Sequence, residues 1–416
     1  MSEYELRRNN LLDSLDEKSV AIIYSGVSKI CSADACYPFS VNRNFYYLTG
    51  IEQEGSVLVL VKGVGVSQQY LFISPFNPVK ERWTGKMLTC DEAREISQVT
   101  NVYTLDSYDT MLNLILDKNS YQYGKIDKIY LDLSPEIKIG DQLSTLEMKK
   151  RLEDKYSLEV LDIFPLIRSL RMVKSDEEVE HLRKAIDKTN MALNKLVRSM
   201  RPGVFEYELA DIFDFMGREK GKSNLAFDTI VGAGINSTCL HYPNLNCQVK
   251  EGDVVLCDLG LRDSLYCADI SRTFPVDGKF SPIQREIYEA VLSCNKAVIA
   301  YIREGLTIND LQEFATEYLK NECIRRKLMS PNDDIKKYYI HNVSHHLGLD
   351  THDVGDRSMP LQKGNVITVE PGLYFPELSI GVRIEDDVLV TSGRAEVLSE
   401  NIIKEINDIE KMLKTR

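Results

Sequence analysis

The second half of the chain carries a weak internal repeat, and that repeat limits the possible folds more than any other feature. RPGVFEYEL at 201–209 and REGLTINDL at 303–311 each close one amphipathic run and open another, with an offset of 102 residues. EGDVVLCDLG at 251–260 aligns with KGNVITVEPG at 363–372, offset by 112, which sets Asp258 against Glu370. CADI at 267–270 aligns with RIED at 383–386, offset by 116, which sets Asp269 against Glu385. His241 lies 11 residues before Gly252, and His352 lies 12 before Gly364. A helix–helix–hairpin unit that occurs twice, each time with a histidine and two carboxylates in the same order, predicts a pseudo-two-fold α+β domain. Its ligands would meet on the axis.

The four carboxylates stand in apolar surroundings. Asp258 and Asp269 fall in the strand-like runs 254–259 and 265–273, Glu370 follows VITV, and Glu385 follows GVRI. A lone buried carboxylate is costly unless it meets a cation or a donor. Two at ~4 Å repel by about 4 kcal/mol at an effective dielectric near 20, so four that converge need counter-charge, which two divalent cations would supply. Carboxylates with one imidazole suit Mn, Co or Zn rather than a thiophilic metal. HNVSHHLGLDTHD at 341–353 holds four of the six histidines. His345 is the candidate ligand there; His346 beside it would then point elsewhere and either supports that ligand or is structural, and Gly348 favours a bent loop. His181, on a charged helix, reads as a surface residue. HExxH, GxSxG and GxxxxGK[ST] are absent, which removes the zincin, α/β-hydrolase and P-loop readings. A two-metal hydrolase remains, in which a bridging water becomes hydroxide near neutral pH and attacks a polarised carbonyl.

The first 170 residues have a different pattern. Short β-rich runs at 20–24, 45–48, 56–61, 70–73 and 128–133 alternate with helical patterns at 91–98 and 143–156, which predicts an α/β domain on a mixed sheet. A boundary falls near 171–174, giving domains 1–170 and 171–416. Ser175 and Glu178 then form a capping-box signature ahead of Val179, Leu182, Ile186, Leu193 and Leu196, and Pro202-Gly203 ends that helix. The chain is acidic, with 63 Asp and Glu against 51 Lys and Arg, so a nucleic-acid partner is not expected. The polar start MSEYELRRNN is no secretory signal, and no apolar run approaches the ~18 residues of a membrane span. Nine cysteines without a CxxC pair read as free thiols in a reducing cytoplasm.

On these residues the chain resembles the pita-bread metallopeptidases and, within them, aminopeptidase P (Xaa-Pro aminopeptidase). The motifs are Cys-Asp258-Leu-Gly, Tyr-Cys-Ala-Asp269-Ile-Ser-Arg-Thr-Phe, Ser-His345-His-Leu-Gly-Leu-Asp, Val-Glu370-Pro-Gly-Leu-Tyr and Val-Arg-Ile-Glu385-Asp-Asp. Arg7-Arg8-Asn-Asn-Leu-Leu, Tyr37-Pro-Phe and Asn44-Phe-Tyr-Tyr-Leu-Thr-Gly50 are similar to the N-terminal domain of that family. The resemblance implies two Mn2+ per subunit, with Co2+ or Zn2+ as substitutes. Asp258 would bind one metal through both oxygens, Asp269 and Glu385 would bridge, and His345 and Glu370 would complete the second site. Glu370 would also relay the proton; His241 and His352 would stabilise the tetrahedral intermediate; His341 and Arg383 would line the proline side. The implied substrates are peptides with proline in second position, whose tertiary nitrogen ordinary peptidases handle poorly. The implied assembly is a homodimer or homotetramer. Leu259 stands where the family has alanine and Asn365 where it has aspartate. Trp83 resembles a position where the N-terminal domain approaches an active site across a subunit interface; the alternative is a packing tryptophan. The rival functions are a prolidase with the same ligands, confined to dipeptides, and a metal-free binding module on the same fold.

Overall fold

The computed structural model describes residues 2–117, 119, 122–133, 138–139, 143–219 and 222–415. The chain forms two compact units, Met1–Arg171 and Met172–Arg416. No helix among the described residues is long and apolar enough to cross a membrane.

The first unit is built on a six-stranded mixed sheet in the order Glu159–Asp162, Lys128–Leu131, Ser19–Tyr24, Val57–Lys62, Ser67–Ile73, Asn101–Thr104. Val57–Lys62 runs antiparallel to both neighbours, and the other pairings are parallel. Ser19–Tyr24 is buried along its whole length, as an unbroken Val/Ile run in a sheet covered on both faces requires. Val20, Ile22, Val59, Phe72 and Ile129 form its core.

Residues 45–48 are not a strand. They lie in the helix Arg43–Thr49, where Asn42 accepts the N–H groups of Asn44 and Phe45 and Gly50 closes the last turn at φ 69°. The aromatic residues favour strands, but here capping and burial of the whole turn decide the conformation. Two arginines of the helix Glu3–Ser14 complete it. Arg7 donates to Tyr47 O at 3.2 Å and Arg8 to Leu48 O at 2.7 Å, which satisfies carbonyls that the helix end leaves open. Burial lowers the Arg8 guanidinium to about 10. The helix expected at 143–156 begins two residues later, at Thr145–Tyr156, behind a capping box of Ser144 and Glu147. Trp83, in the helix Pro78–Thr84, is 85% exposed, so it is not a packing tryptophan within this chain.

The second unit contains the two copies. Helices Asp176–Ser199 and Glu206–Met216 belong to the first, Pro282–Tyr301 and Ile308–Arg325 to the second. The first copy's sheet is Ile230–Ala233, Val254–Leu259, Ile270–Pro275. In the second, Val366–Val369 pairs with Asp386–Leu389 and Gly372–Phe375 with Ile380–Arg383. Gly252 and Gly364 occupy the same turn ahead of these strands, at φ 82° and 91°, a conformation that a side chain would strain.

The run 265–273 is not one strand. Tyr266–Cys267 pairs with Arg262–Asp263, Ile270–Pro275 pairs with Val254–Leu259, and Asp269 falls in the break between them. Glu385 falls in the matching break between Ile380–Arg383 and Asp386–Leu389. Both carboxylates therefore sit where the chain leaves one sheet for another, with backbone N–H groups free of a ladder. Asp269 N–H donates to Asp387 Oδ2 at 3.2 Å, and Glu385 N–H to Ser271 O at 3.0 Å. Both bonds tie one copy to the other. His181 is not a free surface residue either: its Nδ1 lies 2.6 Å from Asp263 Oδ2, and its ring stacks on Tyr266 at 5.5 Å.

Candidate active site

Asp269, His345 and Glu385 each present a ligand atom, and these atoms lie within 4.8 Å of one another. The His345 ring is oriented from behind. Its Nδ1 donates to His346 O at 2.9 Å, which leaves Nε2 facing Asp269 Oδ2 at 3.3 Å and Glu370 Oε1 at 3.7 Å. An acceptor nitrogen turned toward two carboxylates needs a proton or a cation between them. Asp258 completes the set. It is buried, and its Oδ1 takes no partner among the described residues. Its Oδ2 accepts from Arg383 Nη2 at 2.7 Å, so one oxygen of the expected two-oxygen ligand is already engaged by a guanidinium.

Arg383 holds three parts of the site together. Besides Asp258 it donates from Nε to Ser271 Oγ at 2.7 Å and from Nη1 to Tyr374 Oη at 3.0 Å. Ser271 in turn donates to Glu385 Oε2 at 2.8 Å. Tyr374 Oη lies 2.8 Å from His341 Nε2, and His341 Nδ1 donates to Asn342 O at 2.9 Å, so the tyrosine donates to Nε2. Ser271, Tyr374 and Asp387 have no place among the sequence-derived candidates. A period-2 signal could have found the first two: Asp258 and Ser271 are cross-strand partners, and Tyr374 follows Glu370 by two alternations on an extended run.

Asp258, Asp269, Glu370, Glu385, His345, His241, His341, His352 and Arg383 all line one cavity of about 420 Å³. His241 and His352 stand exposed at its mouth, where the His352 ring meets His345 edge-on at 4.4 Å. Both histidines, with Asp258 and Asp269, also border an adjoining cavity of about 690 Å³. His346 is outside this group. It is buried, neither ring nitrogen has a partner among the described residues, and burial pushes it down to about 4.

The electrostatics are those of a site built for cations. Burial and the nearby Glu385 raise Asp269 well above the usual carboxylate range. Burial and Glu385 do the same to Glu370. Burial and Asp258 push Glu385 up to about 7. The polypeptide alone disfavours the ionised forms it has gathered, and divalent cations would reverse that. The donor set, all carboxylate and imidazole with one buried orphan oxygen, fits such ions. Burial, helped by Arg383, pushes His341 down to about 3, so its ring is neutral near pH 7.

Residues 180–392 match metallopeptidase family M24, and residues 4–123 match the aminopeptidase P N-terminal domain. The chain is 32% identical to the Xaa-Pro aminopeptidase of Haemophilus influenzae, over 99% of this chain and 97% of that protein. A Bacillus anthracis structure provisionally assigned as an aminopeptidase P superposes with a TM-score of 0.94 at 39% identity, covering 99% of this chain and 98% of that one. Zinc-substituted Escherichia coli aminopeptidase P in complex with product superposes at 0.89 with 30% identity, covering 100% and 99%.

Proposed function

The chain belongs to metallopeptidase family M24 and carries the aminopeptidase P N-terminal domain, and on that premise we propose that it is a Xaa-Pro aminopeptidase, releasing the first residue of peptides whose second residue is proline. Residues 1–170 are the N-terminal domain in this reading and 171–416 the catalytic one. The observation that carries it is the cavity in which four carboxylates, His345 and Arg383 come together with two histidines at the mouth.

Asp258, Asp269, His345, Glu370 and Glu385 would hold the metal, read as two manganese ions. When bound, such ions polarise a carbonyl and acidify a water toward neutral pH. The chain's own residues do the rest. Glu370 takes the proton of the attacking water and delivers it to the proline nitrogen as the C–N bond breaks. That nitrogen is tertiary in the substrate, so the delivered proton is the one it leaves with. His241 and His352 donate to the carbonyl oxygen as it gains charge. Arg383 keeps Asp258 and, through Ser271, Glu385 in place, while the neutral His341 and Arg383 line the side that receives proline. A homo-oligomer in a reducing cytoplasm completes the reading, with the nine cysteines as free thiols.

The test is cleavage of Arg-Pro-Pro and of Arg-Pro by the manganese-supplemented protein. Release of arginine from the tripeptide is expected. Cleavage of the dipeptide alone would make the protein a prolidase. No cleavage of either, with no stoichiometric metal after supplementation, would make it a binding module.

A further inference from the structure

The first unit has a cavity of its own. Five strands of its sheet run one way, and Val57–Lys62 runs against them. Beyond the carboxyl ends of Ser19–Tyr24 and Asn101–Thr104, the sheet opens into a space of about 410 Å³ walled by the helices Tyr108–Ile115 and Thr145–Tyr156. Crevices at the carboxyl ends of parallel strands are where open α/β sheets take ligands, and small-molecule sites occupy about 300–1,000 Å³. None of the lining residues takes part in the proposed chemistry.

Three features of the lining say what would fit. Val57, Leu112, Met148 and Leu152 give it an apolar wall. The ring of Tyr108 closes it on one side; the hydroxyls of Tyr24 and Tyr108 are 2.9 Å apart and satisfy each other. Arg151 and Lys155, one helical turn apart and exposed at the rim, outnumber the single acid, Asp109. We propose that this cavity is a binding site for a small aryl carboxylate: the ring sits against the apolar wall, and the carboxylate meets Arg151 and Lys155.

The probe is 1-naphthoate, titrated calorimetrically into the full-length protein, with 1-naphthamide as the neutral control. Saturable one-to-one binding of the acid is expected, with the amide at least about 10-fold weaker, since loss of one charge-assisted contact is worth about 1.4 kcal/mol or more. The double variant Arg151→Gln/Lys155→Gln, whose side chains are exposed and outside the core, should weaken the acid about 10-fold and leave the amide unchanged. Met148→Trp, which fills the cavity, should abolish binding of both, and Arg-Pro-Pro cleavage should be unaltered in every variant. No saturable binding by the native chain would overturn the proposal. So would equal affinity for acid and amide, or an unchanged affinity in the double variant; that last result decides the matter even if Met148→Trp fails to fold.

Discussion

Glu385 and Asp386 are consecutive in the chain and both are buried, yet the protein treats their charges in opposite ways. Asp386 accepts from Arg272 Nη2 at 2.9 Å, from Ser399 Oγ at 2.8 Å and from Lys404 Nζ at 2.5 Å. Burial would raise it, but Arg272 and Lys404 outweigh burial and bring it to about 2. Glu385 accepts from Ser271 Oγ and stands among other carboxylates, and it rises to about 7. One buried acid is complete within the polypeptide and belongs to the fold. Its neighbour is incomplete and belongs to the site. Charge that a protein gathers and leaves without counter-charge is held for something that brings its own.

The strongest break in this contrast comes from removing either acid. Asp269→Ala or Glu385→Ala should lower kcat by at least about 10³-fold, about 4 kcal/mol in the barrier, while urea unfolding of the metal-free protein shows stability equal to or above wild type. Asp386→Ala should do the reverse first: it strands Arg272 without a carboxylate in the interior, a loss of about 3–5 kcal/mol. Near-wild-type turnover in Asp269→Ala would remove that residue from the ligand set.

The pH dependence of the metal-free protein separates the same pair. Between its ordinary value of 4.5 and about 7, Glu385 keeps in the folded state a proton that the unfolded chain has released. Its contribution to stability is therefore full below 4.5 and is lost as the pH rises through about 7. Asp386 runs the other way, with a contribution present above its ordinary 3.8 and lost as the pH falls through about 2. Chemical denaturation between pH 4.5 and 8 should show falling stability without metal, and added Mn2+ should stabilise more at pH 7.5 than at pH 5. His341 and His346, held neutral by burial, slope the other way below about pH 6.5, so the comparison is with Glu385→Gln, and an unchanged profile in that variant would contradict the assignment of Glu385. A smaller effect is expected at the mouth: His352→Ala should lower kcat about 10²-fold with bound metal unchanged by elemental analysis, and a loss of metal would move that imidazole into the ligand set.

The duplicated catalytic unit was legible because its signal repeats: a turn glycine, an apolar strand and an acid recur in order, and each copy checks the other. Residues 45–48 misled because the aromatic composition of a buried helical turn is also that of a strand. What decides between them is Asn42, Gly50 and two arginines about 40 residues earlier in the chain. Asp269 is a candidate ligand that the sequence places within a strand, since hydrophobicity runs on through 265–273 while the backbone changes sheets at 268–269. Tyr374 and Ser271 escaped because their role is relational. They matter through Arg383, and the period-2 alternation that marks their positions does not say which side chain will bond them. His181 looked solvated on its own helix because its partner, Asp263, is 82 residues away.

Lys404 gives the finest cut through the comparison. Of the two cations on Asp386 it is the less buried, with 16% of its side chain exposed against none for Arg272. It also donates to Asn295 Oδ1 at 3.0 Å. Lys404→Met removes the two charge-assisted bonds to Asp386 and Asn295 but leaves Arg272 and Ser399 on the carboxylate, so Asp386 stays ionised and paired. The loss should be about 1–2 kcal/mol, well below that of Asp386→Ala. The carboxylate, less depressed, should protonate earlier, so acid unfolding should begin at a higher pH than in wild type, while turnover of Arg-Pro-Pro and bound metal are unchanged. If Lys404→Met instead lowered metal content, the charges of residues 385 and 386 would be one electrostatic system rather than two, and the division between structural and site acids would fall.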